Sequence, residues 1–168
     1  GRSSAESEGD KRKPNGPSCL DVSVFCQAEL AGAAYPARAE FVYGEWLRDA
    51  FEAGSLPAPA RDPENTLILA QVRREALALF GPSADALLPD IPPEQIRKGM
   101  RDALPALMGS LHGDERNVLL TLARMWRTAK TGAFVTKDAA AEWAIPQIDD
   151  RDAATLEYAR KAYLGEVI

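Results

Sequence analysis

Polar side chains follow one side of residues 113–132 at intervals of three and four positions. Because an α-helix repeats every 3.6 residues, this spacing places them in one row beside the buried face. The row indicates either a solvated stripe or the wall of a cleft, with an acid at one end and an arginine further along. Its members are Asp114, Asn117, Thr121, Arg124 and Thr128.

A second candidate group is a carboxylate in a predicted strand. Alternating apolar residues predict a strand over residues 19–27, and Asp21 lies within it. Acids are depleted in strands. Asp21 is therefore either a solvent-facing carboxylate or one held rigidly near a metal or a substrate hydroxyl. Trp46, between the next strand and a helix, is either a core side chain or a surface on which a ligand ring stacks.

Several common nucleotide and metal motifs are absent from the sequence, namely GxGxxG, GxxxxGK[ST], CxxC and HExxH. Asp150 and Asp152 have the spacing of a metal-binding DxD pair. Side chains two positions apart at a helix start diverge by about 200°, so this pair predicts helix capping instead. His112 is the only histidine, which excludes histidine-rich metal sites and disfavours a histidine-based triad.

The composition is that of an acidic globular protein. The 168 residues are 46% hydrophobic, with a net charge of −5 and a pI near 5.0. Nucleic-acid binders usually carry a basic field, so we expect no nucleic-acid partner. No apolar run reaches the ~20 residues that a membrane span needs, and no signal peptide opens the chain. The two cysteines have no further potential metal ligands at a suitable spacing, which indicates reduced thiols. We expect a cytoplasmic monomer.

The elements that would position the candidate residues follow from periodicity and from helix and turn signals. Residues 1–18 are small and charged, which is typical of a loop or disordered lead-in. A second strand is predicted around Phe41 and Tyr43, then a helix over residues 47–53 and a Pro/Ala-rich linker. Helices are predicted over residues 63–80, 93–108, 114–131, about 136–146 and about 150–164.

Apolar positions that repeat with the helical period predict the buried faces of three of these helices. They are Leu69, Val72, Ala76 and Leu79 or Phe80 on the first; Val118, Leu122, Met125 and Ala129, flanked by Leu119 and Trp126, on the central helix; and Leu156, Ala159 and Tyr163 on the last. Asp114 and Gly132 suit the N-cap and the left-handed C-terminal position of the central helix. The order predicts a mainly α protein, a β fragment followed by a helical bundle.

Three consecutive segments, GDERNVLLTLARMWRTAKTG, FVTKDAAAEWAIPQI and ATLEYARKAYLGE, resemble the aminoglycoside 3''- and 9-O-adenylyltransferases, the streptomycin and spectinomycin resistance enzymes. The segments LDVSV, YPARAEFVYGEWLRD and DPENTLILAQ extend the resemblance to roughly residues 19–165. It implies the C-terminal part of an α/β nucleotidyltransferase domain over residues 19–56 and an α-helical substrate-binding domain over residues 62–168. It also implies transfer of AMP from ATP to a hydroxyl of spectinomycin and/or streptomycin, with Mg²⁺.

The resemblance assigns a role to seven residues of this sequence. Asp21 stands at the position of the catalytic base on a strand. The nucleotide-binding positions are Glu64, Arg124, Lys137 and Tyr163, and the antibiotic-binding positions are Trp46 and Asp114. An acid suits a drug ammonium or guanidinium group, and an indole suits ring packing.

Three departures from the family pattern stand out. The base is usually glutamate, and Asp21 is one methylene shorter. Ser110 or a neighbour stands where streptomycin-handling members carry a second acid. The SDxD segment with the metal-binding carboxylate pair is absent, so we predict no metal ligands in this chain and expect it to be inactive alone. Two alternatives remain: a non-catalytic helical domain that binds a cationic small molecule or a nucleotide, and a helical interaction module.

Overall fold

The computed structural model describes residues 20–32 and 34–167, so the lead-in predicted over residues 1–18 lies outside the described residues. The described strands are β1 (Val22–Val24), β2 (Arg38–Ala39), β3 (Phe41–Tyr43) and β4 (Ala60–Arg61). The α-helices are α1 (Gln27–Leu30), α2 (Arg48–Glu52), α3 (Pro63–Glu75), α4 (Ala84–Leu87), α5 (Pro93–Gly109), α6 (Glu115–Thr131), α7 (Lys137–Ala144) and α8 (Asp150–Leu164). The predicted mainly α class, with a small β part before a helical bundle, is confirmed.

The β part consists of two short antiparallel pairs. β1 pairs with β3, and Val22 lies opposite Tyr43; β2 pairs with β4. The strand predicted over residues 19–27 is shorter than expected because β3 offers only three pairing residues and the chain enters α1 at Gln27. Asp21 therefore immediately precedes the strand instead of lying inside it.

Helix α3 begins as predicted but ends early. The Asp62 carboxylate accepts a hydrogen bond from the Glu64 backbone N–H at 2.8 Å, and Pro63 occupies the first helical position. The helix stops at Glu75, so the prediction that it runs to Phe80 is wrong. Arg73 near its end donates to the carbonyls of Asp85 and Leu88, which holds the returning chain against the helix.

The predicted buried face of this first helix is confirmed only at its start. Leu69 is buried, whereas Val72 and Ala76 are exposed. Leu79 and Phe80 are 94% and 98% exposed because they lie beyond the helix end. Close packing of α3 on α5 instead uses Gly99, where a Cβ would lie 3.1 Å from the Leu67 side chain.

The later helices begin and end close to their predicted bounds. Helix α5 continues through Pro105 to Gly109. Gly132 closes α6 in the left-handed conformation, at φ 73°. The N-cap of α8 is Asp149, whose carboxylate accepts from the backbone N–H groups of Arg151 and Asp152. Asp150 and Asp152 thus lie in the first turn of the helix, and the capping predicted for this pair is performed by Asp149 instead.

The predicted buried face of helix α6 is only partly confirmed. Val118 is buried as expected, but Leu120 and Ala123 are buried in place of Leu122 and Ala129. The reason is that α7 and α8 pack on the Leu120 side, whereas Leu122 and Ala129 face an open groove beside α5. On α8, Leu156 and Ala159 are buried as predicted, and Tyr163 is not.

Two apolar cores flank α6. The first is formed by Leu30, Ala37, Leu69, Ala70, Ile91, Ile96 and Met100. The second is formed by Leu120, Ala123, Ala140, Ala141, Ala144, Leu156 and Ala159. Met125 packs against the first core and Trp126 against the second. Adjacent residues of α6 therefore join the two cores. Within residues 20–32 and 34–167, every helix is too short or too polar to cross a membrane.

Candidate functional site

A cleft of about 360 Å³ opens between the segment before β1, helices α3, α5 and α6, and the start of α7. Leucine, methionine and phenylalanine side chains form part of its walls. Five of the seven predicted site residues line it, and they come from five separate places in the chain: Asp21, Trp46, Glu64, Arg124 and Lys137. The fold thus brings together side chains that are up to 116 positions apart in sequence (137 minus 21).

A second cavity, of about 320 Å³, adjoins the first on the side of the strands. Asp21, Trp46 and Glu64 line both cavities, so the two adjoin along these side chains; together they are called the cleft. The second cavity adds Tyr43 and Asp62. The cationic side chains Arg124 and Lys137 line only the first cavity, so the cleft is basic on its α6 side and acidic toward the strands.

Glu64 lies in the first turn of α3, where the two cavities meet. Its side chain keeps contact with solvent, yet the surrounding protein removes enough water to raise the pKa of its carboxyl. The neighbouring Asp62 carboxylate raises the pKa further, and the Arg124 guanidinium opposes the shift. Glu64 therefore holds a proton more readily than an ordinary glutamate does.

Lys137 is the first residue of α7 and is half-buried in the cleft. Burial lowers the pKa of its ammonium group, and the positive charge of Arg124 lowers it further. The Asp114 and Asp21 carboxylates oppose this shift. The two cations repel each other, and an anionic ligand bound beside them would relieve that repulsion.

Asp114 is exposed and lines neither cavity, but it contacts Asn117, which lines the first. It occupies the predicted N-cap position of α6, but its carboxylate makes no bond to the helix backbone. It accepts instead from the Asn117 side-chain amide at 2.9 Å. The Asn117 carbonyl in turn accepts from the Lys137 ammonium. Asn117 therefore connects one predicted antibiotic contact to one predicted nucleotide contact.

Trp46 stands at the cleft with 69% of its surface exposed. It lies in a short 3₁₀ helix directly after β3, and its indole covers the backbone of Gly44. A Cβ at Gly44 would lie 2.1 Å from the indole ring, so only glycine leaves room for the ring in this place. The indole is consequently available to a ligand and is not a core side chain.

Two positions singled out in the sequence lie apart from the cleft. Tyr163 is 48% exposed on α8 and lines neither cavity in the described part of the chain. The Ser110 hydroxyl donates to the Leu107 carbonyl at 2.8 Å and so adds a hydrogen bond to a backbone carbonyl at the C-terminal end of α5. Among residues 20–32 and 34–167 there is also no group of three or more His, Cys, Asp or Glu side chains that could hold a metal ion.

Residues 86–168 match the family model described as the aminoglycoside adenylyltransferase C-terminal domain. A spectinomycin 9-adenylyltransferase from Staphylococcus aureus is 46% identical over 147 residues, which cover 88% of this chain and 56% of the relative. Residues 86–168 of this chain therefore belong to the family of aminoglycoside adenylyltransferase C-terminal domains.

Further comparisons agree with membership of the adenylyltransferase family. An aminoglycoside (3'') (9) adenylyltransferase from Klebsiella pneumoniae is 33% identical over 150 residues, covering 88% of this chain and 57% of that protein. The crystal structure of a spectinomycin adenyltransferase from Enterococcus faecialis with ATP and spectinomycin superposes with a TM-score of 0.88 at 31% identity. It matches 98% of this chain and 65% of that one. The chain thus spans little more than half the length of the curated relatives it matches.

Sequence reasoning missed two features of this cleft. The resemblance assigns no role to Asn117, although its spacing of three from Asp114 is the signal that places the two side chains in contact. Thr128, in the same row, is buried, and its hydroxyl donates to the Ala133 carbonyl at 2.9 Å. The row is therefore neither uniformly solvated nor uniformly functional.

Proposed function

We propose that this chain provides the antibiotic- and nucleotide-binding cleft of an aminoglycoside O-adenylyltransferase. The reaction transfers AMP from ATP to a hydroxyl of spectinomycin. The observation that carries the proposal is that Arg124 and Lys137 line the same cleft as Asp21, Glu64 and Trp46. A cationic side facing an acidic side suits a triphosphate next to a positively charged drug.

The cationic side of the cleft is assigned to ATP. Arg124 offers a planar guanidinium for bidentate contact with phosphate oxygens, and Lys137 offers a compact point charge. Their mutual repulsion disfavours the empty cleft, and a polyanion removes it. Tyr163 is assigned to the nucleotide by resemblance alone, since it lies on α8 away from the described cavities.

The acidic side of the cleft is assigned to the drug and to proton transfer. Asp21 takes the proton of the attacking hydroxyl; the hydroxyl oxygen then bonds to the α-phosphorus of ATP, and pyrophosphate leaves. Asp114 pairs with a drug ammonium group, and Trp46 packs against a drug ring. Mg²⁺ is expected for this family, but the described residues include no group of three or more His, Cys, Asp or Glu side chains that could hold it.

Spectinomycin is preferred over streptomycin in this proposal. The 46% identical relatives are spectinomycin 9-adenylyltransferases, whereas the relatives named for both the 3'' and 9 positions are 33% identical. In addition, Ser110 or a neighbour stands where streptomycin-handling members carry a second acid, and the Ser110 hydroxyl is used within α5.

The test is whether one cleft binds both substrates at once. Spectinomycin is titrated calorimetrically into the 168-residue chain, first alone and then with saturating ATP; streptomycin is titrated in parallel. We expect a ternary complex with spectinomycin and weaker heat with streptomycin. Arg124→Ala should abolish ATP binding while the melting temperature stays near that of the unsubstituted chain. Lys130→Ala, which removes a cation from the exposed end of the same helix, is the matched control.

The same experiment separates the proposal from a non-catalytic binding domain. Such a domain would bind either a cationic drug or a nucleotide, and a second ligand would compete or produce no heat. An Arg124→Ala protein that unfolds at much lower temperature would instead identify Arg124 as a structural side chain. Pyrophosphate release is measured alongside, and we expect none from this chain alone, because the SDxD carboxylate pair is absent from its sequence.

A further inference from the structure

Among the side chains that line the described cleft, Asn117 alone hydrogen-bonds to both an acidic and a basic residue that the proposed function assigns to ligand binding. Its amide nitrogen donates to the Asp114 carboxylate at 2.9 Å, and its carbonyl oxygen accepts from the Lys137 ammonium. Asp114 and Asn117 lie one turn apart at the start of α6, while Lys137 belongs to α7. The amide therefore joins two helices as well as two charges.

The two partners fix the orientation of the Asn117 amide. A carboxylate only accepts hydrogen bonds and an ammonium only donates them. A flipped amide would turn its NH₂ group toward Lys137 and its oxygen toward Asp114, and both contacts would be repulsive. Asn117 is also half-buried, where an unsatisfied amide is costly. The side chain is consequently held in one rotamer by opposite charges on its two sides.

We propose that Asn117 is a positioning residue that holds the Lys137 ammonium in the nucleotide side of the cleft and keeps it from pairing directly with Asp114. This inference rests on the proposed function, because it assigns the two charges to different ligands. A direct ion pair would occupy the carboxylate and the ammonium with each other. With the amide between them, each group keeps hydrogen-bonding capacity for its own ligand.

The surroundings of Lys137 explain why it needs a neutral acceptor. Arg124 and Arg116 from α6 repel its positive charge, whereas Asp114 from α6 and Asp21 from the segment before β1 attract it. Burial is the largest cause that lowers the pKa of Lys137, and the two arginines lower it further. The Asn117 oxygen stabilises the ammonium without adding a charge that would repel a triphosphate.

The first measurement follows the titration of Lys137 in the ligand-free chain by ¹³Cε-lysine NMR, with Lys137→Met identifying the signal. Asn117→Leu removes the acceptor but keeps a side chain of similar volume between Lys137 and Asp114, so that no direct ion pair replaces the lost hydrogen bond. We therefore expect it to lower the pKa of Lys137. Asn117→Asp replaces the acceptor by a carboxylate, and we expect it to raise that pKa. Thr121→Val, which removes a hydroxyl from the same cleft wall, is the matched control and should leave the titration unchanged.

The second measurement is ATP affinity as a function of pH. It compares the unsubstituted chain with Asn117→Leu, Asn117→Asp and Thr121→Val. Affinity should fall as pH rises through the pKa of Lys137. At neutral pH, Asn117→Leu should bind ATP about tenfold more weakly, the loss expected for one hydrogen bond to a charged group. The pH at which affinity falls should shift down in Asn117→Leu and up in Asn117→Asp. A side chain that only stabilised the fold would change melting temperature without opposite pH shifts.

Two results would overturn the inference. One is a Lys137 titration that is the same in Asn117→Leu as in the unsubstituted chain. The other is a shift in the same direction for Asn117→Leu and Asn117→Asp. If no protein bound ATP while the lysine titrations moved as expected, the proposed function would fail and the contact between Asn117 and Lys137 would stand, because the NMR titration needs no ligand.

Discussion

A carboxyl group that burial makes harder to ionise lies in the middle of this cleft. The pKa of Glu64 is raised above its ordinary 4.5, first by burial and then by Asp62. Below pH 4.5 the group is protonated in both the folded and the unfolded chain and has no effect on stability. As pH rises, the unfolded chain ionises first, so stability falls until the folded carboxyl has also ionised, and it stays at that lower level at higher pH.

Glu64→Gln should therefore raise the melting temperature at pH 7, and the gain should disappear as pH falls below 4.5. Glu94→Gln is the matched control. Glu94 follows the first-position Pro93 of α5, as Glu64 follows Pro63 of α3, but it does not line the described cleft. The melting temperatures of both variants are measured by circular dichroism between pH 3.5 and 7.5. An equal gain in the two variants, or a gain that persists at pH 3.5, would contradict the assignment of the effect to the cleft.

The residues assigned by resemblance differ in how far sequence alone could place them. Asp21, Glu64, Arg124 and Lys137 meet in the cleft, and nothing in their separate sequence neighbourhoods indicates that they should. Spacing could align residues within α6, but contact between α6 and α7 through Asn117 depends on how the two helices pack. Such contacts across elements are set by tertiary structure, which periodicity does not describe.

At the scale of elements, α6 shows why the period of a helix does not determine its buried face. Two apolar faces are available on this helix, and packing of α7 and α8 selects the one with Leu120 and Ala123. The early end of α3 has a comparable origin. Apolar residues continue with helical spacing to Phe80, but Arg73 binds carbonyls of the following segment and the chain turns away.

The choice of face predicts unequal costs for two substitutions on α6. Leu120 is completely buried, so Leu120→Ala should lower the free energy of unfolding by about 2–5 kcal/mol through a closed cavity. Met125 is half-buried between the cleft and the outer groove. Met125→Ala should lower the free energy of unfolding by only about 1–2 kcal/mol, because the space that it leaves opens to solvent. Urea unfolding of both variants measures the difference, and a larger cost for Met125→Ala would restore the face predicted from periodicity.

At the scale of the whole molecule, the order of elements and their class were predictable, since caps and glycines mark most helix ends. Asp62 and Pro63 at the start of α3, and Gly132 and Gly165 after α6 and α8, stand where the sequence predicts them. The division into two cores was not predictable. It depends on which helix each apolar side chain reaches, and both cores use α6, where Met125 and Trp126 point to different partners.

Because α6 belongs to both cores, neither core can unfold while the other keeps this helix. We therefore expect one cooperative transition in urea. Trp126 and Trp143, with ring centroids 5.0 Å apart, report on the second core once Trp46→Phe removes the exposed indole of the cleft. Far-ultraviolet circular dichroism reports on all helices. The two signals should give the same midpoint.

Substitution in the first core tests the coupling directly. Leu69 is 3% exposed and distant in sequence from both tryptophans, so Leu69→Ala should lower the free energy of unfolding by about 2–5 kcal/mol. Both signals should move by the same amount, because loss of the first core releases Met125 and with it α6. Phe80→Ala, at a fully solvated position outside both cores, should change either midpoint by less than about 0.5 kcal/mol. If Leu69→Ala shifted the circular dichroism transition but left the tryptophan transition in place, the two cores would be independent units and α6 would not join them.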